Sequence, residues 1–170
     1  RMSQDRITLE KETVDLEEVI QTAVAAARKR YEEKGQQILT AIIGPLFVEG
    51  DATRLEQIFS NLLSNACRYS DPGTDIVVRA EQRSSEAVVV ISDEGIGMDP
   101  DVLEKVFDPF YQVKPDGQAA SGLGIGLALT RKLVDLHGGS VMASSEGSGR
   151  GSKFEVRLPA AEFPEFSVSQ

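Results

Sequence analysis

Two asparagines and an arginine share one face of a predicted helix. Asn61, Asn65 and Arg68 are spaced i, i+4 and i+7, so their side chains project from the same side of an α-helix. Amide oxygens beside a guanidinium suit a magnesium ion with phosphate nearby. Taken alone, the spacing is more typical of a solvated helix face, because asparagine is common on exposed surfaces.

A second candidate site is the loop Asp93-Glu94-Gly95-Ile96-Gly97, which follows a predicted strand. A carboxylate at a strand end can accept a hydrogen bond from an adenine amino group while glycines let the backbone approach the ring. An ordinary strand-to-helix turn has the same composition.

A third candidate is the segment Gly122-Leu123-Gly124-Ile125-Gly126-Leu127. Alternate glycines let backbone N–H groups point at phosphate, and a following helix adds the positive end of its dipole. A flexible hinge has a similar composition. The segment is not a dinucleotide-binding fingerprint, because no strand–loop–helix unit precedes it, and the chain lacks the Gly-Lys-Ser/Thr of a P-loop.

Hydrophobic periodicity predicts the elements that carry these residues. Helices are predicted over 15–33, 51–69, 100–106 and 125–136, and strands over 7–9, 37–43, 47–49, 75–82, 87–92, 140–144 and 152–158. Strand runs mixed with three long helices predict an α/β or α+β fold with a mixed sheet and helices on one face.

Composition and charge narrow the class of function. The 170 residues, 41% of them hydrophobic, suit one compact domain. The formal net charge of −9 argues against a nucleic-acid partner, which would need a basic face. A single cysteine, Cys67, precludes an internal disulfide and fits a reducing, cytoplasmic compartment. No apolar run reaches the roughly 20 residues of a membrane span, so we expect no direct membrane contact.

The three candidates, in this order, resemble the catalytic and ATP-binding domain of sensor histidine kinases, a family grouped with gyrase-type ATPases, heat-shock chaperones and mismatch-repair ATPases. The similarity covers roughly 14–159, and its motifs are Asn-Leu-Leu-Ser-Asn-Ala-Cys-Arg-Tyr, Asp-Glu-Gly-Ile-Gly-Met, Phe-Asp-Pro-Phe-Tyr and Gly-Leu-Gly-Ile-Gly-Leu. It implies a Bergerat-type ATP-binding fold: an α/β (α+β) two-layer sandwich whose mixed, mainly antiparallel sheet of about five strands packs against three helices.

The resemblance also implies roles for individual residues around Mg²⁺–ATP. Asn65 would ligate magnesium, with Asn61 and Arg68 at the phosphates. The adenine pocket would be formed by Tyr69, Asp93, Gly95, Ile96, Gly97 and Met98. The lid and the phosphate loop would be formed by Phe107, Phe110, Lys114, Gly122, Leu123, Gly124, Gly126 and Leu127.

Two departures from the family pattern bear on these roles. Leu123 stands where many members have threonine or serine, so a hydroxyl contact is missing there. Gln112 replaces a frequent arginine in the lid, which weakens the case for a lid cation.

The related ATPases place a glutamate, which activates water, where this chain has Asn61. Because an amide is not a general base at neutral pH, this substitution favours phosphoryl transfer to another group over hydrolysis. The family implies a histidine acceptor on a separate dimerisation segment, and a response regulator receiver domain downstream. The only histidine here, His137, is more typical of a donor at a helix C-terminus.

We therefore expect a histidine protein kinase catalytic domain of two-component signalling without its phosphoacceptor. Residues 1–13 are expected to be a linker or the stub of the preceding dimerisation helix, 14–159 the catalytic domain and 160–170 a tail. Two alternatives remain: a non-enzymatic nucleotide-binding regulatory module, and a serine kinase of the anti-sigma-factor type.

Overall fold

The computed structural model describes residues 7–108, 125–147 and 149–162. The helices are α1 (Leu16–Glu33), α2 (Ala52–Tyr69), α3 (Pro100–Lys105) and α4 (Ile125–Leu136). The strands are β1 (Glu12–Asp15), β2 (Gln37–Ile42), β3 (Phe47–Gly50), β4 (Asp75–Arg83), β5 (Glu86–Asp93), β6 (Ser140–Ser144) and β7 (Ser152–Pro159).

Five strands form one sheet in the order β2-β4-β5-β7-β6. Strands β2 and β4 are parallel, whereas the other three neighbouring pairs are antiparallel. The predicted α/β sandwich, with its mixed and mainly antiparallel sheet, is confirmed.

Helices α1, α2 and α4 begin and end close to the predicted positions because their signals are local. Asp15 caps α1 by accepting a hydrogen bond from the Glu17 N–H at 3.0 Å, and Asp51 caps α2 by accepting from the Arg54 N–H at 3.2 Å. The apolar stripe of α2 is fully buried against the sheet and consists of Leu55, Ile58, Phe59, Leu62, Leu63 and Ala66.

The core lies between the three long helices and one face of the five-stranded sheet. Alternate residues of the strands turn inward, as Ile76, Val78 and Ala80 of β4 show. The opposite face has no helix from the described elements, and it exposes Leu39 of β2 and Met142 of β6.

A second, two-stranded sheet corrects one prediction. The first strand is Glu12–Asp15 and not 7–9, and it pairs antiparallel with β3, with Val14 opposite Val48. Val14 is 6% exposed, and this long-range pairing, which local patterning does not encode, sets the position of the strand. Ala160 and Ala161 follow β7 and donate backbone hydrogen bonds to Ser85 and Phe47.

Candidate functional site

Helix α2 carries the asparagine face at the border between core and surface. Asn61 and Asn65 are half-buried and Arg68 is exposed, while the neighbouring Leu62 and Ala66 are buried. The polar face therefore flanks the apolar stripe, as the spacing predicts. Among the described residues, the Asn65 side chain has no hydrogen-bond partner, so its amide oxygen is available to a ligand.

The Asn61 amide joins α2 to the first turn of α4. Its Nδ2 donates to the Gly126 carbonyl and to the Thr130 hydroxyl, both at 3.3 Å. The Thr130 Oγ1 in turn donates to the Gly126 carbonyl at 2.8 Å. The structure therefore brings the asparagine helix against the end of the glycine-spaced segment.

Asp93 ends β5 and is buried, with 9% of its surface exposed. Its Oδ2 accepts a hydrogen bond from the Ser152 hydroxyl at 2.8 Å. Its Oδ1 is buried and accepts no hydrogen bond of normal geometry within the described structure, although the Gly95 backbone lies beside it.

This environment changes the proton affinity of the Asp93 carboxyl. Burial raises its pKa above the ordinary 3.8, because lost hydration disfavours the charged form. The Ser152 hydroxyl and the backbone N–H groups of Ser152 and Gly95 oppose that shift. A buried carboxyl with one unsatisfied oxygen suits a ligand that brings an N–H donor.

The loop after Asp93 is fixed to the C-terminal end of α2. Gly95 and Ser70 form an isolated antiparallel bridge, and the Ile96 N–H donates to the Tyr69 carbonyl at 3.2 Å. A Cβ on Gly95 would lie 2.0 Å from the Tyr69 carbonyl oxygen. The sequence predicts a glycine here so that the backbone can approach an adenine ring. The structure shows that the residue must also lack a side chain because the backbone lies against the end of α2.

Gly97 and Met98 contact the connection between β6 and β7. Gly97 has a φ of +72°, and a Cβ there would lie 2.1 Å from the Gly147 carbonyl oxygen. The Met98 N–H donates to the Ser145 hydroxyl at 3.0 Å. This half-buried pair therefore links the predicted pocket loop to the last hairpin.

Phe107 packs where the lid is predicted to begin. Its ring meets Phe154 edge-on, with centroids 6.0 Å apart, and the Arg131 guanidinium lies 5.7 Å from its centroid. Leu127 packs against the core, and Gly126 is exposed. Five predicted site residues lie outside the described residues, namely Phe110, Lys114, Gly122, Leu123 and Gly124.

His137 has a structural role. It is 5% exposed, its Nδ1 lies 2.8 Å from the Leu133 carbonyl, and its Nε2 accepts from the Asp51 N–H at 3.1 Å. Because Leu133 offers only an oxygen and Asp51 only a proton, the ring is the neutral tautomer with its proton on Nδ1. With both nitrogens engaged, the ring is not available as a phosphoacceptor.

Sequence reasoning missed three residues that border the site. Ser152 donates to Asp93, Gly151 has a φ of +72° with its would-be Cβ 2.2 Å from the Asp93 carbonyl oxygen, and Thr130 holds Asn61. The β5–β7 register, which pairs Asp93 with Ser152, identifies the first two, but that register is a tertiary property. The only signal for Thr130 in the sequence is a polar residue that follows the apolar start of α4.

Comparison with known proteins gives one family match and several close relatives. Residues 50–162 match the family described as histidine kinase-, DNA gyrase B-, and HSP90-like ATPase. The chain is 32% identical over 154 residues to the signal transduction histidine-protein kinase BaeS of Escherichia coli K12, covering 90% of this chain and 33% of BaeS. It is 37% identical over 113 residues to the sensor protein SrrB of Staphylococcus aureus, covering 66% of this chain and 19% of SrrB.

The solved structures to which the chain is similar include histidine kinases as well. The chain superposes on the mycobacterial sensor histidine kinase MprB with a TM-score of 0.79 and 29% identity, covering 90% of this chain and 99% of that one. It superposes on full-length ShkA in complex with AMPPNP with a TM-score of 0.78 and 28% identity, covering 94% and 33%. The chain thus spans about a third of BaeS and a fifth of SrrB.

Proposed function

Because the chain belongs to the histidine kinase-, DNA gyrase B-, and HSP90-like ATPase family, we propose that it binds Mg²⁺–ATP and transfers the γ-phosphoryl group to a histidine on a separate helical segment. The acceptor segment is proposed to be the dimerisation helices of the same protein, with a response regulator receiver domain as the next partner. The domain works in the cytoplasm, where ATP is available. No described helix is long and apolar enough to cross a bilayer.

The observation that carries the proposal is the position of α2 between the candidate sites. One end of the helix holds the loop after Asp93 through the Tyr69 carbonyl, and its middle holds Gly126 of α4 through Asn61. One helix therefore contacts both the loop after Asp93 and the first turn of α4, which supports a ligand site between them.

Asp93 provides the adenine contact in this proposal. Its buried Oδ1 lacks a hydrogen-bond donor of normal geometry, and the adenine amino group supplies one. Tyr69, Gly95, Ile96, Gly97 and Met98 complete the pocket around the ring.

Magnesium fits the chemistry of Asn65. The described residues contain no cluster of three or more His, Cys, Asp or Glu side chains that could hold a metal alone. Magnesium typically takes one or two protein oxygens and fills its octahedron with phosphate oxygens and water, which one amide oxygen supports. An ion held by the Asn65 amide oxygen would neutralise charge on the transferred phosphoryl group.

The remaining phosphate contacts are proposed for Arg68, for Gly126 and Leu127 at the start of α4, and for Lys114, Gly122, Leu123 and Gly124, which lie outside the described part of the chain together with the lid residue Phe110. Backbone N–H groups at a helix N-terminus bind phosphate without requiring a basic surface. A local site of this kind is compatible with the net charge of −9.

Transfer is favoured over hydrolysis because the side chain at position 61 is an amide. An amide does not accept a proton at neutral pH, so the Asn61 side chain does not activate water. Its Nδ2 is already a hydrogen-bond donor to Gly126 and Thr130. His137 is buried and doubly bonded, so the acceptor histidine belongs to another segment.

Calorimetry tests the binding half of the proposal. We expect wild type to bind ATP more tightly with magnesium than without it. Asp93→Asn should lower affinity about 10-fold or more, because the Ser152 contact and the adenine contact need acceptor oxygens. Asn65→Asp should change chiefly the magnesium dependence. Unchanged ATP affinity in Asp93→Asn would show that the adenine assignment is wrong.

Phosphoryl transfer is tested with radiolabelled ATP and an added histidine-bearing helical segment. We expect label on the added segment and none on this chain, in wild type and in His137→Gln alike. Label on serine of an added partner would identify the serine-kinase alternative. Binding without any transfer would identify the regulatory module, and stable label on this chain that His137→Gln abolishes would contradict the assignment of His137.

A further inference from the structure

We infer that Thr130 is a positioning residue for phosphoryl transfer: with the Gly126 carbonyl it fixes the Asn61 amide so that its oxygen, and not its N–H₂ group, remains free for the magnesium–phosphate region. This inference rests on the proposed function and assigns a role to a residue that contacts neither phosphate nor metal.

The orientation of the amide follows from the partners of its nitrogen. The Gly126 carbonyl can only accept a hydrogen bond, so the group of Asn61 that faces it at 3.3 Å must be the N–H₂ group. The same Nδ2 also donates to the Thr130 Oγ1, at 3.3 Å. The N–H₂ group therefore faces two adjacent acceptors, and within the described structure Oδ1 accepts no hydrogen bond.

The Thr130 hydroxyl is held in the accepting state. Its single proton lies on the bond to the Gly126 carbonyl at 2.8 Å, so its lone pairs are what it offers to Asn61. Thr130 itself is fully buried, which limits the rotation of its hydroxyl, while the Asn61 end of the contact is half-buried.

The same arrangement selects against a carboxylate at position 61. A carboxylate has no protons for the Gly126 carbonyl, and it would have to take the Thr130 proton away from that carbonyl. Two acceptor oxygens would then face each other without a proton between them. Thr130 thus favours the amide over the glutamate that activates water in related ATPases.

The test compares Thr130→Val, which keeps the shape and removes the hydroxyl, with Thr130→Ser, which keeps the hydroxyl. We expect Thr130→Val to slow single-turnover transfer about 10-fold, because the released amide samples several orientations, while ATP affinity changes less than about twofold. Thr130→Ser should restore the rate. Thr22→Val and Thr22→Ser make the same changes at an exposed position of α1 and should leave the rate unchanged.

A double-mutant cycle separates positioning from a general structural effect. If Thr130 acts through Asn61, Thr130→Val should have almost no further effect in an Asn61→Ala background. A full 10-fold loss in that background, or a wild-type rate in Thr130→Val alone, overturns the inference.

A spectroscopic measurement without nucleotide keeps the inference testable if transfer itself is not found. The side-chain amide protons of Asn61 should exchange slowly with water in wild type and in Thr22→Val, and fast in Thr130→Val and Thr130→Ala. The Asn65 amide is an internal reference. Absence of transfer by wild type would refute the proposed function alone, whereas fast exchange at Asn61 in wild type would refute the positioning role alone.

Discussion

Asp93 combines a proposed binding role with a cost in stability. The carboxyl is satisfied on one oxygen by Ser152 and unsatisfied on the other. A nucleotide that donates to the second oxygen relieves the unpaired acceptor. The same feature that destabilises the protein alone therefore contributes to affinity.

The raised pKa of Asp93 predicts a pH dependence of folding. Since burial lifts the folded-state pKa above 3.8, the folded state holds the proton more tightly than the unfolded chain, and this contribution to stability is lost as pH rises through the raised value. Chemical denaturation of wild type and Asp93→Asn across acidic pH measures it. We expect the wild type to lose stability relative to Asp93→Asn as pH rises, and the exposed Asp101→Asn to follow wild type.

Ser152→Ala extends that prediction. Removing the hydroxyl that donates to the charged carboxylate should raise the pKa of Asp93 further, so the loss of stability should move to higher pH. A curve that matches wild type would mean that the Ser152 hydroxyl does not stabilise the charged form.

Position 95 requires glycine because its Cα lies against the backbone of Tyr69 and leaves no room for a Cβ. Gly95→Ala would place a Cβ 2.0 Å from the Tyr69 carbonyl oxygen, and we expect it to lower the free energy of unfolding by about 3 kcal/mol or more. Gly126→Ala meets no atom within 4 Å and should change it by less than about 1 kcal/mol. Equal effects of the two substitutions would contradict the steric argument.

The C-terminal end of α2 is held by the turn that follows α1. The Lys34 ammonium donates to the carbonyls of Cys67 at 2.7 Å, Ser70 at 2.9 Å and Arg68 at 3.4 Å. Gln36 adds hydrogen bonds to Ser70 and Asp71. These contacts satisfy carbonyls that a helix end leaves without partners, next to the residues that hold the Asp93 loop.

Lys34→Met should therefore destabilise the protein well beyond an ordinary lysine substitution. We expect a loss of about 1.5–3 kcal/mol, the range for hydrogen bonds to a charged group. Lys29→Met removes an exposed lysine of α1 and should be nearly neutral. Urea denaturation compares the two, and a Lys34→Met variant as stable as Lys29→Met would contradict a capping role.

Local elements were predictable because their signals are local, whereas tertiary contacts were not. Asp51 and the apolar stripe of α2 predict that helix, and the glycines predict the turns. The first strand was misplaced because only its pairing with β3 defines it. Ser152, Gly151 and Thr130 were missed because each acts through a residue distant in sequence, on a neighbouring strand or helix.

The net charge of −9 opposes the approach of an anionic nucleotide from a distance. Salt at 0.1 M screens this repulsion beyond about 10 Å, whereas short-range contacts inside the site are screened less. We expect the association rate of Mg²⁺–ATP to rise with ionic strength, and that of adenosine, which is uncharged, to stay constant. Stopped-flow measurement with both ligands tests this. An association rate of Mg²⁺–ATP that falls with ionic strength would show that local attraction by cations such as Arg68 outweighs the repulsion by the net charge.

Strand β2 lies at one edge of the five-stranded sheet, and its one neighbour among the described strands, β4, runs parallel to it. It buries Ile38 and partly Ile42 but exposes Leu39, so it has little apolar contact to hold it. Native-state hydrogen exchange should consequently find β2 opening at lower free energy than β5, which is paired on both sides. Because the proposed nucleotide site is built on α2, β5 and β7, we expect such partial unfolding to leave ATP binding intact, and bound nucleotide to protect β5 more than β2.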